Sequence, residues 1–81
     1  MQVSVQFFSY FKDLTGCGET IQELPHPATI DDLLAALAGR FPRWAGFRNC
    51  TLAAVGVEYQ DRTRILRPGD EVSLFPPVQG G

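Results

Sequence analysis

Residues 29–41 carry the clearest helical signal in the chain, and it restricts what the remainder can form. Apolar residues recur there at i, i+3, i+4, i+7 and i+11, which places them in one stripe along a helix. The stripe consists of Ile30, Leu33, Leu34, Leu37 and Phe41. Thr29 suits the N-cap position, Asp32 suits the N3 position, and Pro42 predicts a helix end near Arg40. In a chain of 81 residues, one such helix needs a sheet to cover its stripe.

Alternating apolar and polar residues at both ends of the chain predict the strands of that sheet. The segments "QVSVQF" (residues 2–7) and "EVSLF" (residues 71–75) alternate in this way, the second with Val72 and Leu74 facing inward. "ETIQEL" can pair with the first strand, "TLAAVGVEY" predicts one further strand, and "QDRTRIL" predicts a turn and a short strand. "RWAGFRN" is predicted to be a loop and "RPGD" a turn. The order predicts an α+β fold, with one helix across one face of a mixed sheet.

Two aromatic residues interrupt the otherwise polar face of the predicted sheet. Counting along the first and last strands places Phe8 and Phe75 on the face away from the helix. Exposed apolar patches often mark protein interfaces, so we predict that both residues bind a partner. The alternative is that they are isolated surface aromatics, which are common.

Composition and charge exclude several classes of protein. The net charge is −2 and the basic residues form no run, so nothing indicates nucleic-acid binding. No apolar run approaches the ~18 residues of a membrane span, and the amino terminus does not resemble a signal peptide. A secreted chain this small usually has more than two cysteines, so we expect a cytoplasmic protein with reduced thiols.

A few polar residues could form a site, but structural or solvent-exposed positions are expected for them. Cys17, Cys50 and His26 fit no metal-ligand spacing, and the cysteines are expected to be small buried residues. Neighbouring Asp31 and Asp32 are expected to serve the start of the helix. The arginines could contact an acidic partner or a nucleotide, but a solvated loop surface is the expectation; they are Arg40, Arg43, Arg48, Arg62, Arg64 and Arg67.

The chain ends in "FPPVQGG", an unusual ending for a segment that only has to fold. Pro76 and Pro77 have fixed φ angles and keep the segment extended, while Gly80 and Gly81 lack side chains and can enter a narrow channel. We therefore predict a domain at residues 1–75 followed by an extended reactive tail at residues 76–81. Such a tail could reach ~20 Å from the domain.

Both ends of the chain resemble one known family. The segments "PGDEVSLFPPVQGG" and "VQFFSYFKDLTG" are similar to the end and the start of molybdopterin synthase small subunits, which are ubiquitin-like sulfur carriers. The resemblance implies a β-grasp fold with four to five strands, in which the first and last strands are central neighbours. It also implies that Phe8, Tyr59 and Phe75, with tail residues Pro76, Pro77 and Val78, bind the large subunit.

The resemblance further implies a function for the terminal glycines. An adenylating enzyme of the ubiquitin-activating type would consume ATP to adenylate Gly81, next to Gly80, and a sulfur donor protein would then convert it to a thiocarboxylate. The sulfur would pass to a pterin precursor inside molybdopterin synthase, a heterotetramer whose large subunit holds the catalytic groups. The carrier itself would be non-catalytic and would bind no cofactor, metal, nucleic acid or membrane.

Three other functions remain open on the sequence. The chain could carry sulfur for another pathway, such as thiamine synthesis or tRNA thiolation. It could be a protein modifier whose Gly81 forms an isopeptide bond with lysine. It could also be a ubiquitin-like binding module with an inert tail.

Overall fold

A computed structural model describes residues 1–77 of the chain. Along the chain the elements are β1 (Gln2–Phe7), α1 (Phe11–Thr15), β2 (Glu19–Glu23), α2 (Ile30–Arg40), α3 (Pro42–Ala45), a 3₁₀ turn (Arg48–Cys50), β3 (Leu52–Val55), β4 (Glu58–Tyr59) and β5 (Glu71–Phe75). The five strands form one sheet in the order β2-β1-β5-β3-β4. The terminal strands β1 and β5 pair in parallel at its centre, and the other pairs are antiparallel. The predicted mixed sheet with one main helix, the β-grasp arrangement, is confirmed.

Helix α2 begins and ends where the sequence predicts. The Thr29 hydroxyl accepts a hydrogen bond from the Asp32 N–H at 3.2 Å, and the Asp32 carboxylate accepts one from the Thr29 N–H at 2.9 Å. This reciprocal pair satisfies two backbone donors that the first turn of a helix leaves free. Arg40 is the last helical residue, and Phe41 turns its ring edge-on to Phe7 with centroids 5.6 Å apart.

The core lies between α2 and one face of the sheet. The helix contributes its apolar stripe, and β1 and β5 contribute every second residue. The fully or almost fully buried side chains from these elements are Val3, Val5, Phe7, Ile30, Leu33, Leu34, Leu37, Val72 and Leu74. The inward orientation predicted for Val72 and Leu74 is confirmed, and β5 therefore presents Ser73 and Phe75 on the opposite face.

The loop predicted over residues 43–49 is wrong. The chain forms α3 and then the 3₁₀ turn, with Pro42 at the first helical position, where its missing N–H is harmless. Trp44 is fully buried, and its ring meets Phe11 edge-on at 6.1 Å between centroids. Burial of this large ring holds the segment in a helical turn that the local sequence pattern does not predict.

The single strand predicted over residues 51–59 is also wrong. It is a hairpin of β3 and β4, and Gly56 turns the chain with a φ of +63°, a conformation that favours glycine. The short strand predicted next is reduced to one bridge between Ile65 and Thr29. In its place, the carbonyls of Arg62 and Arg64 each accept a hydrogen bond at 3.0 Å from N–H groups in the first turn of α2. The segment therefore caps the helix instead of extending the sheet.

Candidate docking surface

Three aromatic rings form a row across the outer face of the sheet, at the end of β5. The rings of Phe8 and Phe75 stack with their centroids 4.6 Å apart and an interplanar angle of 14°. The ring of Tyr59, on β4, lies 5.9 Å from Phe75 on the side away from Phe8. We call Phe8, Phe75 and Tyr59 the aromatic ridge. The structure thus brings together three of the six residues assigned to partner binding, two of them predicted from strand alternation and Tyr59 from the family resemblance.

The backbone around Phe8 fixes the first ring of the ridge. The Phe8 N–H donates a hydrogen bond to the Leu74 carbonyl at 3.1 Å, which continues the parallel pairing of β1 with β5. Ser9 then adopts a φ of +57°, and the Phe8 carbonyl accepts a hydrogen bond from the Phe11 N–H at 3.2 Å. Because the chain leaves the sheet immediately after Phe8, its ring is held against Phe75 at the rim of the outer face.

Leu52 belongs to the same surface, and sequence reasoning missed it. Strand pairing sets Leu52 directly opposite Phe75, on the outer face, and leaves it half-buried. A shallow pocket of about 330 Å³ lies beside it, lined in part by Leu52, Tyr59 and Arg62. The run "LAAV" hides this orientation because all four residues are apolar, so the alternation that reveals the other strands is absent.

The members of the ridge differ in how much water reaches them. Tyr59 is 68% exposed, whereas Phe8 and Phe75 are half-buried because each covers one face of the other. Stacked and tilted ring pairs of this kind contribute ~0.5–1.5 kcal/mol beyond the area that they bury. The ridge is therefore a pre-arranged apolar surface, which a partner could cover without first ordering its side chains.

The ridge leads directly into the tail. Pro76 and Pro77 follow Phe75, lie outside β5 and are half-buried. Val78, Gly80 and Gly81, which the sequence assigns to partner binding and to chemistry, lie outside the described residues. The structure thus gives the position at which the tail departs, next to the three rings.

Charged residues pack against the domain more closely than predicted. The Asp31 carboxylate lies 3.7 Å from the Arg48 guanidinium and 3.6 Å from that of Arg62, and Arg64 pairs with Asp70 at 3.1 Å. Arg48, Arg62 and Arg64 are half-buried, so the expectation of a solvated surface is wrong for these three. Partly exposed pairs of this kind contribute ~0–1 kcal/mol each. The two Asp31 pairs join the loops to the start of α2.

The cysteines and the histidine do not come together in a site. Cys17 is partly buried, but Cys50 is exposed, so the expectation of buried cysteines is wrong for Cys50. Cys50 ends the 3₁₀ turn, and none of the three residues of that turn is buried. Within residues 1–77, no three His, Cys, Asp or Glu side chains are grouped so that they could hold a metal ion. None of the helices described there is long and apolar enough to cross a membrane.

Comparison with known proteins adds to this geometry. The model of the ThiS family matches residues 5–81. The molybdopterin synthase sulfur carrier subunit of Escherichia coli is 35% identical over 81 residues, which cover 98% of this chain and 99% of that protein.

Two solved structures have the same fold. SAMP1 from Haloferax volcanii superimposes with a TM-score of 0.87 at 24% identity, over the whole of both chains. A chain from the complex of subunits 1 and 2 of the molybdopterin-converting factor of Helicobacter pylori superimposes with a TM-score of 0.71 at 24% identity. The match again covers the whole of both chains.

Proposed function

The chain belongs to the ThiS family, and from that premise we propose that it is the sulfur carrier subunit of a molybdopterin synthase. The support is the 35% identity to the E. coli carrier subunit over almost its full length. The observation that carries the proposal is the position of the aromatic ridge. Phe75 belongs to the ridge and is also the last strand residue before the tail, so a partner that covers the ridge also receives the tail.

The proposed chemistry takes place at the Gly81 carboxylate. A carboxylate is a poor acyl donor because its leaving group would be oxide, and adenylation by an ATP-consuming enzyme replaces that oxide with a good leaving group. Sulfide from a donor protein then displaces the adenylate and leaves a thiocarboxylate. The ionised sulfur is a strong nucleophile, for the same reason that thiolates are more reactive than thiols. The carrier needs no catalytic side chain for these steps.

The tail residues suit this role for physical reasons. Gly80 and Gly81 have no Cβ atoms and can pass a channel that other residues would block. Pro76 and Pro77 keep the base of the tail from folding back onto the sheet. A reach of ~20 Å would allow the terminal atom to enter a partner's active site while residues 1–75 stay outside as a folded domain.

The ridge supplies the docking surface for the large subunit, which would hold the catalytic groups and the pterin site. Two findings support a partner of this kind. The E. coli relative is described as one subunit of a synthase, and the H. pylori neighbour comes from a complex of two subunits. We propose that Phe8, Tyr59 and Phe75, with Val78 beyond the described residues, contact this subunit. A cytoplasmic heterotetramer of two small and two large subunits is the expected assembly.

Mass spectrometry of the intact protein tests the proposed chemistry. The full chain is incubated with the adenylating enzyme, ATP and a sulfur donor, and we expect one oxygen to be replaced by sulfur at Gly81. A variant that lacks Gly81, and another with one alanine added after it, are the controls and should stay unchanged. A ladder of conjugates to other proteins would show a modifier instead, and an unchanged mass of the natural chain would contradict the proposal.

A genetic experiment distinguishes this carrier from carriers that serve thiamine synthesis or tRNA thiolation. The chain is expressed in a strain that lacks its own molybdopterin synthase small subunit, together with the matching large subunit. We expect molybdoenzyme activity to return with the natural chain and to stay absent with the variant that lacks Gly81. Thiocarboxylate formation without any return of activity would assign the chain to another pathway.

A further inference from the structure

Strand β2 lies at one edge of the sheet, and no strand within residues 1–77 pairs with the backbone polar groups on its outer side. Leu24 and Met1 exchange both of their backbone hydrogen bonds, at 2.8 and 2.7 Å. Since such pairs alternate along an antiparallel ladder, Glu19, Ile21 and Glu23 direct their N–H and C=O groups away from β1. Open edges of this kind are templates for pairing with another chain.

Side chains of the same protein cover part of this edge. From the end of α2, the Arg40 guanidinium donates hydrogen bonds to the Ile21 carbonyl at 3.2 Å, the Gln22 side-chain oxygen at 2.8 Å and the Thr20 hydroxyl at 2.9 Å. The Gln22 amide in turn donates to the Glu23 carbonyl at 2.9 Å. Two of the three outward carbonyls of β2 are therefore occupied, by a network that a second strand would have to displace.

The position of the guanidinium is itself fixed. It lies 4.9 Å from the centre of the Phe41 ring, which packs on the core residue Phe7. The Arg40 guanidinium is thus held between an aromatic ring and the strand edge, and the ring contact orders it in the position from which it donates to the Ile21 carbonyl. An exposed arginine without these partners would give no such protection.

The glutamates of β2 oppose pairing with β2 of a second copy of the chain. If a second copy approached with its β2 antiparallel and centred on Ile21, Glu19 of each copy would face Glu23 of the other. Like charges directly opposite one another destabilise a strand pair. Ile21, which is 53% exposed, would otherwise provide an apolar centre for the contact. The side chains of two β2 strands would therefore fit each other in this register, and the facing glutamates oppose the pairing.

We propose that Arg40, Gln22, Glu19 and Glu23 form an edge guard, which prevents β2 from pairing with β2 of a second copy and keeps the protein monomeric. Arg40 and Gln22 occupy two of the three carbonyls that pairing would use, and the two glutamates oppose the antiparallel register centred on Ile21. This inference does not depend on the proposed function, because it concerns the edge of the sheet and not the aromatic ridge or the tail.

Sedimentation equilibrium of the full chain tests the edge guard. In the double variant Arg40→Ala/Glu19→Lys, the carbonyl is uncovered and the new lysine faces Glu23 of the second copy. We expect a dimer that is at least about tenfold tighter than any self-association of the natural chain. Arg43→Ala, which removes an exposed arginine at the start of the next helix, is the matched control and should remain monomeric.

A third substitution shows whether such a dimer uses β2. Ile21→Pro in the double variant removes an outward N–H without disturbing the bonds to β1, so the dimer should disappear. A dimer that survives Ile21→Pro, or a folded double variant that stays monomeric, would overturn the proposal. If the double variant loses its cooperative thermal transition, Arg40→Gln/Glu19→Lys, which keeps a polar side chain at position 40, replaces it as the test. Self-association of that variant supports the edge guard, and its absence refutes it.

Discussion

The two faces of the sheet are built from the same strands but behave as different surfaces. On the inner face, Val5 and Leu74 are completely buried under α2. On the outer face, their immediate neighbours Gln6 and Ser73 are polar and only partly covered. The aromatic rings of the outer face, Phe8, Phe75 and Tyr59, lie side by side at the end of β5. The difference shows that one face forms the core, and that on the other face the aromatic residues lie together next to residues 76 and 77.

The contrast also separates two kinds of energy. A side chain on the inner face is surrounded by others, so removing it leaves a cavity that the packed neighbours cannot fill. A side chain of the ridge has a solvent-facing side in the free protein, which the proposed partner would cover. Substitutions on the inner face should therefore reduce the free energy of unfolding, and substitutions in the ridge should reduce the affinity for a partner.

The largest expected effect comes from a leucine pair on opposite faces. Leu74→Ala removes a fully buried side chain and should lower the free energy of unfolding by ~2–5 kcal/mol. Leu52→Ala, on the neighbouring strand but on the outer face, should lower it by only about 1 kcal/mol. Urea unfolding followed by circular dichroism measures both. Equal losses for the two variants would refute the division between the faces.

The next effect concerns binding. Phe75→Ala removes the central ring of the ridge and should weaken the complex with the large subunit by ~2–4 kcal/mol, the range of interface hot spots. Ser73→Ala, on the same face of the same strand, is the control and should bind normally. Isothermal titration calorimetry gives the affinities, and thermal melting verifies that both variants are folded. Normal binding by Phe75→Ala would show that the ridge is not the docking surface.

The smallest effect tests the helix that covers the inner face. Thr29→Ala breaks the reciprocal hydrogen bonds with Asp32 and should lower the free energy of unfolding by about 1 kcal/mol. Because α2 does not contact the ridge rings, the affinity for the large subunit should not change. Thr63→Ala, at an exposed position outside the helices and strands, serves as the control. A parallel loss of affinity in Thr29→Ala would show that the two faces are coupled.

Periodicity predicts the elements that have one buried face and one exposed face. Helix α2, its cap at Thr29 and its end at Arg40 follow from the sequence, as do the boundaries of β1 and β5. The parallel pairing of β1 with β5 followed from the family resemblance and not from the pattern itself. The ridge was anticipated at Phe8 and Phe75 because each breaks the polar alternation of its strand.

Periodicity failed where tertiary contacts decide the conformation. The burial of Trp44 holds an apparent loop in the helix α3, and the spacing of apolar residues around it does not indicate a helix. The apolar run from Leu52 to Val55 has no alternation, so neither its end at Gly56 nor the orientation of Leu52 could be predicted. The edge guard was also missed, because Arg40 acts on a strand that precedes it by about 20 residues.

The stacking of Phe8 on Phe75 joins a residue near the start of the chain to one near its end. Since the two rings meet only when β1 and β5 are paired, no fragment that lacks either strand can form the stacked pair. A protein that contacts both rings would therefore bind only the completely folded chain, because unfolded or truncated copies do not present the two rings together.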